Sequence, residues 1–332
     1  MGMNLLEKTA QHVARSPLKK AIYPVVDRML AGIGQMNAQG YDLEQTILVA
    51  CTARGGSTWL AEIVAALQGY MVLWEPLHLV NNPQCEEAGF RWQNYFPEDD
   101  DCRAQKEYLR RVYTGADLST RTLTSLEFNP SDLVDISGYV VKHVNANMML
   151  HRIMEWFPVR AVLMIRHPCA VVASQLNHGG WGHLNDENTT LSDTLADEFP
   201  HLRRVYNGLD TLEEFLAFKW AVRTRVPLSQ PTPHPWCLTT YERLVDAGGR
   251  EVERIFSCLG EPTPEGATAL LDRPSATAGE KANVRTDRNR LAGWTEQLSS
   301  EQVDRILRTV HAVGVTCYDE SLTPDEEALP FH

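Results

Sequence analysis

A short loop that combines two glycines, two hydroxyls and an arginine lies between an apolar run and a helix-like pattern. The residues that could do chemistry in this loop are Arg54, Gly55, Gly56, Ser57, Thr58 and Trp59. A loop that enters a helix presents unpaired backbone N–H groups and the positive end of the helix dipole, which favour a phosphate-like anion. The lysine of a nucleoside-triphosphate loop, G-x-x-x-x-G-K-[ST], is absent. The loop therefore predicts an anion site that is not built for ATP or GTP.

The side chains of the loop suit an anion attached to a purine. The guanidinium of Arg54 carries a fixed charge in a fork geometry, and the hydroxyls of Ser57 and Thr58 are further donors. Trp59 offers a flat face on which a purine can stack. An ordinary strand-to-helix turn would use glycines in the same way, so this loop does not decide the function alone.

A second stretch, "VLMIRHPCAVVASQ" at residues 162–175, has the same strand-to-helix character. Its apolar part predicts a buried strand that delivers Arg166 to its carboxyl end, and Pro168 favours the start of a helix. Ser174 then lies about two turns inside that helix. Arg166 and Ser174 can therefore both reach one phosphate at the edge of the sheet.

Together the two stretches resemble the sulfotransferases that use 3′-phosphoadenosine-5′-phosphosulfate. In that family, R/K-x-G-[ST]-[ST]-W after the first strand holds the 5′-phosphosulfate, and R-x-P with a later serine holds the 3′-phosphate. The resemblance implies that Trp59 lies against the adenine and that Arg166 and Ser174 bind the 3′-phosphate. It also implies that the 5′ end is held by Arg54, Gly55, Gly56, Ser57 and Thr58.

Two later stretches extend the resemblance. "TTYERLV" at 239–245 is similar to the family's Y-E-x-L segment after a late strand, which implies that Tyr241 lies near the nucleotide. The stretch at 283–306 resembles the closing segment in which basic residues ahead of a tryptophan meet the 3′-phosphate. Its spacing departs from R-K-G-x-x-G-D-W, so Arg285, Arg288 and Arg290 all remain candidates.

Two residues are candidates for the base that removes the proton of an alcohol acceptor. His143 ends the run "GYVVKH" and resembles the K-x-H segment of cytosolic sulfotransferases, although lysine directly precedes histidine here. Glu75 in "VLWEPLH" resembles the E-P segment of carbohydrate sulfotransferases and of bacterial relatives with a carboxylate base. Negative charge builds on the departing phosphate during sulfuryl transfer, so Arg54 and Lys142 are expected to stabilise it.

The elements that must position these residues alternate between strands and helices. Apolar runs predict strands at 46–51, 71–76, 138–143 and 159–168. Helical spacing predicts helices at 58–67, 145–156, 169–175, 212–225, 250–259 and 300–313, with short helices before residue 35 interrupted near Pro17 and Pro24. This order predicts an α/β fold with a central parallel sheet flanked by helices, as in the P-loop-like sulfotransferase fold.

We expect residues 1–332 to form a single sulfotransferase domain with an N-terminal helical segment at 1–40. Long stretches between strand and helix units often form lids or binding walls. The insertions at 81–137 and 177–211 are therefore expected to line the acceptor pocket. Their Trp, Tyr, Phe and His residues favour an aromatic lining, to which His178, Trp181 and His183 are candidates to contribute. His78 lies three residues past Glu75 and is a further candidate for the site.

Composition narrows the classes of partner. A formal net charge of −12 argues against a general binder of nucleic acid or anionic membranes. The seven cysteines show neither CxxC pairs nor metal-type spacing, so we expect a reducing, cytoplasmic setting and no metal requirement. No apolar run approaches the length of a membrane span.

The sequence thus predicts an enzyme that moves a sulfuryl group from 3′-phosphoadenosine-5′-phosphosulfate to a hydroxyl, or less favourably an amine. The expected product is 3′,5′-adenosine bisphosphate. The acceptor is a small molecule, lipid, sugar or carrier-bound chain, and the oligomeric state stays open. The alternatives are a P-loop nucleotide kinase or phosphotransferase, and a nucleotide-binding protein without catalytic activity.

Overall fold

The computed structural model describes residues 17–123, 133, 135–180, 191–273 and 287–331 of the chain. For residues 17–22 and 287–289 it describes the helical backbone alone.

Within these residues, five parallel strands form one sheet in the order β2-β3-β1-β4-β5. The strands are β1 (Thr46–Cys51), β2 (Tyr70–Trp74), β3 (Gly138–His143), β4 (Arg160–Ile165) and β5 (Cys237–Thr240). The α/β fold with a central parallel sheet and flanking helices is therefore confirmed. Apolar runs such as "TILVAC" form the central strands because both faces of a parallel sheet are covered by helices.

Helices connect the strands and cover both faces of the sheet. In the described residues they are α1 (Pro17–Asn37), α2 (Ser57–Val64), α3 (Pro83–Glu87), α4 (Arg103–Tyr113), α5 (Leu150–Trp156), α6 (Pro168–His178), α7 (Asp193–Glu198), α8 (His201–Tyr206), α9 (Leu212–Leu228), α10 (Tyr241–Asp246), α11 (Gly249–Cys258), α12 (Asp287–Ala292) and α13 (Ser300–Val313). Short 3-10 turns lie at Leu43–Gln45, Asn147–Met149, Thr268–Asp272 and Glu326–Ala328.

Alternation along the strands divides the core into two clusters. In β1, Ile47, Val49 and Cys51 pack on the side covered by α2 and α11, which we call the α2 face. Leu48 and Ala50 pack on the side covered by α4, α6, α9 and α13, which we call the α9 face. Because successive side chains in a strand point to opposite faces, the parity of a residue fixes which cluster it joins.

One sequence expectation about the N-terminal region is wrong. The chain forms a single helix over Pro17–Asn37 rather than short helices interrupted near Pro24. Pro17 is the first helical residue, where its missing N–H costs nothing. Pro24 is exposed, and the helix continues through it. A proline inside a helix leaves one backbone carbonyl without its N–H donor, and on the solvent side of a helix such a carbonyl can turn toward water.

The two insertions contribute helices to the α9 face. The described part of 81–137 contains α3 and α4, and α4 buries Leu109, Val112 and Tyr113 against the sheet. The described part of 177–211 contains α7 and α8, which bury Leu195 and Leu202 in the same cluster. Trp181 and His183 lie outside the described residues.

None of the helices in the described ranges is both long and apolar enough to cross a lipid bilayer.

Candidate active site

The glycine loop joins β1 to α2 at the carboxyl edge of the sheet. Gly56 is the N-cap of α2 and has φ +101°, a left-handed conformation that favours glycine. A Cβ at Gly56 would lie 2.7 Å from Cδ2 of Tyr241, and one at Gly55 would lie 2.5 Å from Sγ of Cys51. Both glycines are therefore required by close packing, and no side chain at the N-cap covers the first turn of α2.

Arg54 is held in a strained conformation by residues of the second stretch. Its φ of +72° is rare for a residue with a side chain. Its carbonyl accepts a hydrogen bond from Nη1 of Arg166 at 3.2 Å, and its Nε donates to Oγ of Ser174 at 3.0 Å. Gln175 donates from Nε2 to the carbonyl of Ala53 at 3.0 Å. The loop and the segment from Arg166 to Gln175 therefore form one hydrogen-bonded unit.

The guanidinium groups of Arg54 and Arg166 meet in this unit, and that of Arg290 lies beside it at Trp59. Arg166 donates from Nη2 to the carbonyl of Arg290 at 3.3 Å and lies over the ring of Tyr241, 4.0 Å from its centroid. The guanidinium of Arg290 lies 5.3 Å from the ring centroid of Trp59. Burial, and then the charge of Arg166, lower the pKa of Arg54 from its ordinary value. In the part of the chain that the structure describes, none of these three arginines forms an ion pair with a carboxylate.

Two aromatic rings form the wall beside the arginines. Trp59 and Tyr241 lie with ring centroids 5.3 Å apart, and the indole N–H of Trp59 donates to the carbonyl of Leu270 at 3.0 Å. Trp59 is 5 % exposed, so its ring is held in place before any ligand binds. The geometry thus combines fixed positive charge with ordered aromatic rings, which suits a nucleotide phosphate.

Glu75 and Lys142 form an ion pair at the ends of β2 and β3. Glu75 has φ +38°, a second strained residue at this edge, and its N–H donates to the carbonyl of Lys142 at 2.9 Å. The Glu75 side chain remains 24 % exposed, whereas that of Lys142 is 5 % exposed. The ammonium of Lys142 also lies 4.4 Å from the ring centroid of Trp74. A carboxylate with a charged partner is therefore open to a ligand at this point.

Lys142 lies on the same side of the sheet as the glycine loop. It pairs in register with Val49 of β1 and with Trp74 of β2, and its parity places it on the α2 face. The positive charges of Lys142 and Arg166 both act to lower the pKa of the Cys51 thiol, although burial raises that pKa to about 12 overall. The ion pair and the arginine cluster are therefore neighbours at one edge of the sheet.

His143 lies on the opposite side of the sheet. It follows Lys142 directly, so it points to the α9 face, where its Nε2 lies 3.2 Å from the hydroxyl of Tyr113. It is 1 % exposed, and burial lowers its pKa to about 3. The structure therefore does not bring His143 to the ion pair of Glu75 and Lys142.

The structure brings most of the other sequence-predicted residues together. The loop, Arg166, Ser174 and Tyr241 meet at the carboxyl edges of β1 and β4. Of the three closing arginines, Arg290 reaches this cluster, Arg285 lies outside the described residues, and only the backbone of Arg288 is described.

Two supporting residues were missed by the sequence analysis. Gln175 binds the loop, and Trp220 of α9 donates its indole N–H to the carbonyl of Arg166 at 3.1 Å. The position of Gln175 beside Ser174 was a signal that could have identified it. Nothing in the sequence around Trp220 connects it to Arg166, because the two residues meet only through the packing of α9 on the sheet.

In the residues that the structure describes, no group of three or more His, Cys, Asp or Glu side chains is arranged to hold a metal ion.

Comparisons with known proteins found solved structures alone. No family model matches the chain, and no curated protein matches it. The sulfotransferase domain from the curacin biosynthetic pathway matches with a TM-score of 0.43 and 17% identity, over 82% of this chain and 99% of that chain. The sulfotransferase domain of the Synechococcus olefin synthase matches with a TM-score of 0.45 and 14% identity, over 85% of this chain and 98% of that chain. A mouse sulfotransferase complexed with PAP matches with a TM-score of 0.42 and 11% identity, over 83% of this chain and 86% of that chain. All three of these solved structures are sulfotransferases or sulfotransferase domains.

Proposed function

We propose that this protein is a sulfotransferase that moves a sulfuryl group from 3′-phosphoadenosine-5′-phosphosulfate to a hydroxyl of an acceptor. The observation that carries the proposal is the group of Arg54, Arg166 and Arg290, which form no ion pair with a carboxylate among the described residues. Bringing like charges together costs free energy unless an anion compensates them. A ligand with phosphates at two positions would provide that compensation.

The residues present fit such a ligand. Arg54 and the N-terminus of α2 would hold the 5′ end, with Ser57 and Thr58 as hydroxyl donors. Arg166, with Ser174 or Arg290 beside it, would hold the 3′-phosphate. The ordered ring of Trp59 would support the adenine. When bound, the co-substrate supplies the sulfuryl group and a phosphate leaving group.

We further propose that Glu75, rather than His143, is the general base. The Glu75 carboxylate is partly exposed beside the arginine cluster, whereas His143 is buried on the other face with a low pKa. A carboxylate within reach of the acceptor hydroxyl can take its proton during attack. Protonation of Glu75 would break its ion pair with Lys142, so the lysine charge would become available to the negative charge that develops on the leaving group.

Ligand-induced stabilisation tests the proposed co-substrate directly. We expect 3′,5′-adenosine bisphosphate to raise the Tm, since a ligand at 100 times its Kd stabilises the folded state by about 2.7 kcal/mol. 5′-AMP differs from the bisphosphate only in lacking the 3′-phosphate, so it is the matched control, and it should stabilise the protein less. A protein stabilised by ATP with magnesium but not by the bisphosphate would be a phosphotransferase instead. Binding of the bisphosphate without transfer to any alcohol acceptor would favour a nucleotide-binding protein.

A further inference from the structure

Helix α11 packs along the edge strand β5, and the two elements run in opposite directions. The hydroxyl of Thr239 donates to Oε1 of Glu251 at 2.6 Å. One step back along the strand, the carbonyl of Leu238 accepts from Nη2 of Arg254 at 2.6 Å. The two contacts show that positions further back along β5 lie beside later residues of α11.

Two cysteines lie further along in these directions. Cys237 precedes Leu238 on the strand, and Cys258 lies four residues after Arg254 on the same face of the helix. Nη1 of Arg254 already lies 3.7 Å from Sγ of Cys237. The thiols of Cys237 and Cys258 act on each other as hydrogen-bond partners.

The two thiols differ in exposure and in acidity. Cys237 is 3 % exposed, and its pKa is raised by the hydrogen bond with Cys258 and by burial. Cys258 is exposed, and the hydrogen bond from Cys237, with a smaller contribution from the charge of Arg254, lowers its pKa to about 7. A thiolate that is accessible and has a second thiol beside it is the usual arrangement of an oxidation-sensitive cysteine.

The other cysteines of the chain offer no such arrangement. They are buried, and burial raises the pKa of each of them, so they are weak nucleophiles: Cys51, Cys85, Cys102, Cys169 and Cys317. The contrast singles out Cys258 as the thiol that a soluble oxidant reaches first.

We propose that Cys258 and Cys237 form an oxidation site at which a peroxide converts the two thiols into a disulfide between α11 and β5. The Cys258 thiolate attacks one oxygen of hydrogen peroxide, which breaks the O–O bond, and the departing hydroxide takes a proton and leaves as water. The Cys258 sulfenic acid is then attacked by the Cys237 sulfur. The S–O bond breaks, and the hydroxide leaves as a second water with the proton of the Cys237 thiol. Two thiols are oxidised and one peroxide is reduced to two waters.

The wild-type protein tests the proposal without any substitution. Fully reduced protein is treated with a small excess of hydrogen peroxide, denatured in the presence of N-ethylmaleimide so that buried thiols are alkylated before they can exchange, and digested for peptide mass mapping. We expect a linked peptide pair that contains residues 237 and 258, the loss of two alkylatable thiols, and recovery of both with dithiothreitol. Oxidation of Cys258 to the sulfinic acid while Cys237 remains alkylatable would overturn the proposal. So would oxidation of another cysteine before Cys258.

Variants separate the two roles. Cys237→Ser should trap the Cys258 sulfenic acid, which dimedone then labels, and Cys258→Ser should leave Cys237 reduced. Cys317→Ser is the matched control, and it should form the 237–258 disulfide as the wild type does. Because Cys237 is buried and its serine variant could fail to fold, Cys258→Ser at the exposed position keeps the test decisive. A Cys258→Ser protein that loses thiols to peroxide as fast as the wild type would refute the assignment.

Discussion

The arginine cluster makes a specific prediction about affinity for 3′,5′-adenosine bisphosphate. Arg166 directly follows the last residue of β4. Its guanidinium lies between the ring of Tyr241 and the backbone carbonyls of Arg54 and Arg290. Replacing Arg166 with alanine would remove one charged hydrogen-bonding group from the 3′-phosphate. A hydrogen bond to a charged group contributes about 1.5–3 kcal/mol, so we expect the Kd to rise roughly 10- to 150-fold.

The matched control lies at the other end of the same strand. Arg160 begins β4, forms an ion pair with Glu261 at 2.6 Å and donates to the carbonyl of Glu44 at 2.7 Å. Arg160→Ala removes the same charge from the protein and should lower its stability, but it should leave the Kd for the bisphosphate unchanged. The comparison therefore separates a local contact from a general effect of net charge.

Isothermal titration calorimetry at fixed ionic strength provides the assay, with the reduced wild type as reference. Higher salt should weaken binding to the wild type more than binding to Arg166→Ala, since one charged contact is missing from the variant. If Arg166→Ala bound the bisphosphate within about threefold of the wild type, which is less than 0.7 kcal/mol, the assignment of the 3′-phosphate would be refuted. Equal losses in Arg160→Ala and Arg166→Ala would show that net charge, not the cluster, controls binding.

Three further predictions follow from the same geometry. Glu75→Gln should lower the rate of transfer to an alcohol acceptor by about 100- to 10,000-fold while the affinity for the bisphosphate is retained. His143→Gln should keep a transfer rate within a few fold of the wild type. The opposite pattern in a transfer assay would identify His143 as the base. Gly56→Ala should lower the Tm more than Gly40→Ala does. Both glycines have a positive φ, but only a Cβ at Gly56 would contact a side chain, that of Tyr241. Comparable losses of Tm in the two variants would contradict this reasoning. His143 is neutral in the folded state, with a pKa of about 3, and gains a proton on unfolding. Its contribution to stability should therefore be complete well above pH 6.5 and fall by roughly 2 kcal/mol at pH 5, and His151 and His167, whose pKa values burial lowers to about 4, should add to the loss; denaturant unfolding of His143→Gln should show less of the total loss.

Much of the fold could be predicted from local patterns. The runs at 46–51 and 138–143 are strands with the expected bounds, and the helix at 300–313 is also found as expected. The two strands are short runs rich in apolar, β-branched residues, and the helix has apolar residues at helical spacing, so length, composition and spacing agree with the structure that forms. The helix over Pro17–Asn37 differs from the expectation because the effect of Pro24 depends on whether its side of the helix faces solvent, which the local sequence does not state.

The candidate site was predictable to a smaller extent. The loop and Arg166 were identified because both follow apolar strands, and the carboxyl ends of parallel strands meet at one edge. The sequence left open whether Glu75 or His143 is the base, because each residue lies near the carboxyl end of a predicted strand. The register of β3 between β1 and β2 decides which side chain joins Lys142 and which one packs on Tyr113.

Local sequence patterns were enough to predict an anion-binding loop at the start of a parallel α/β sheet, a second arginine at a neighbouring strand end, and two candidates for a base. Those features depend on residues close together in the chain, where spacing and residue type carry the information. The tertiary structure alone decided that Arg290 meets Trp59, that Glu75 pairs with Lys142 and that His143 lies on the other face. Such contacts depend on the order and parity of strands far apart in the sequence, and packing of the whole chain sets both.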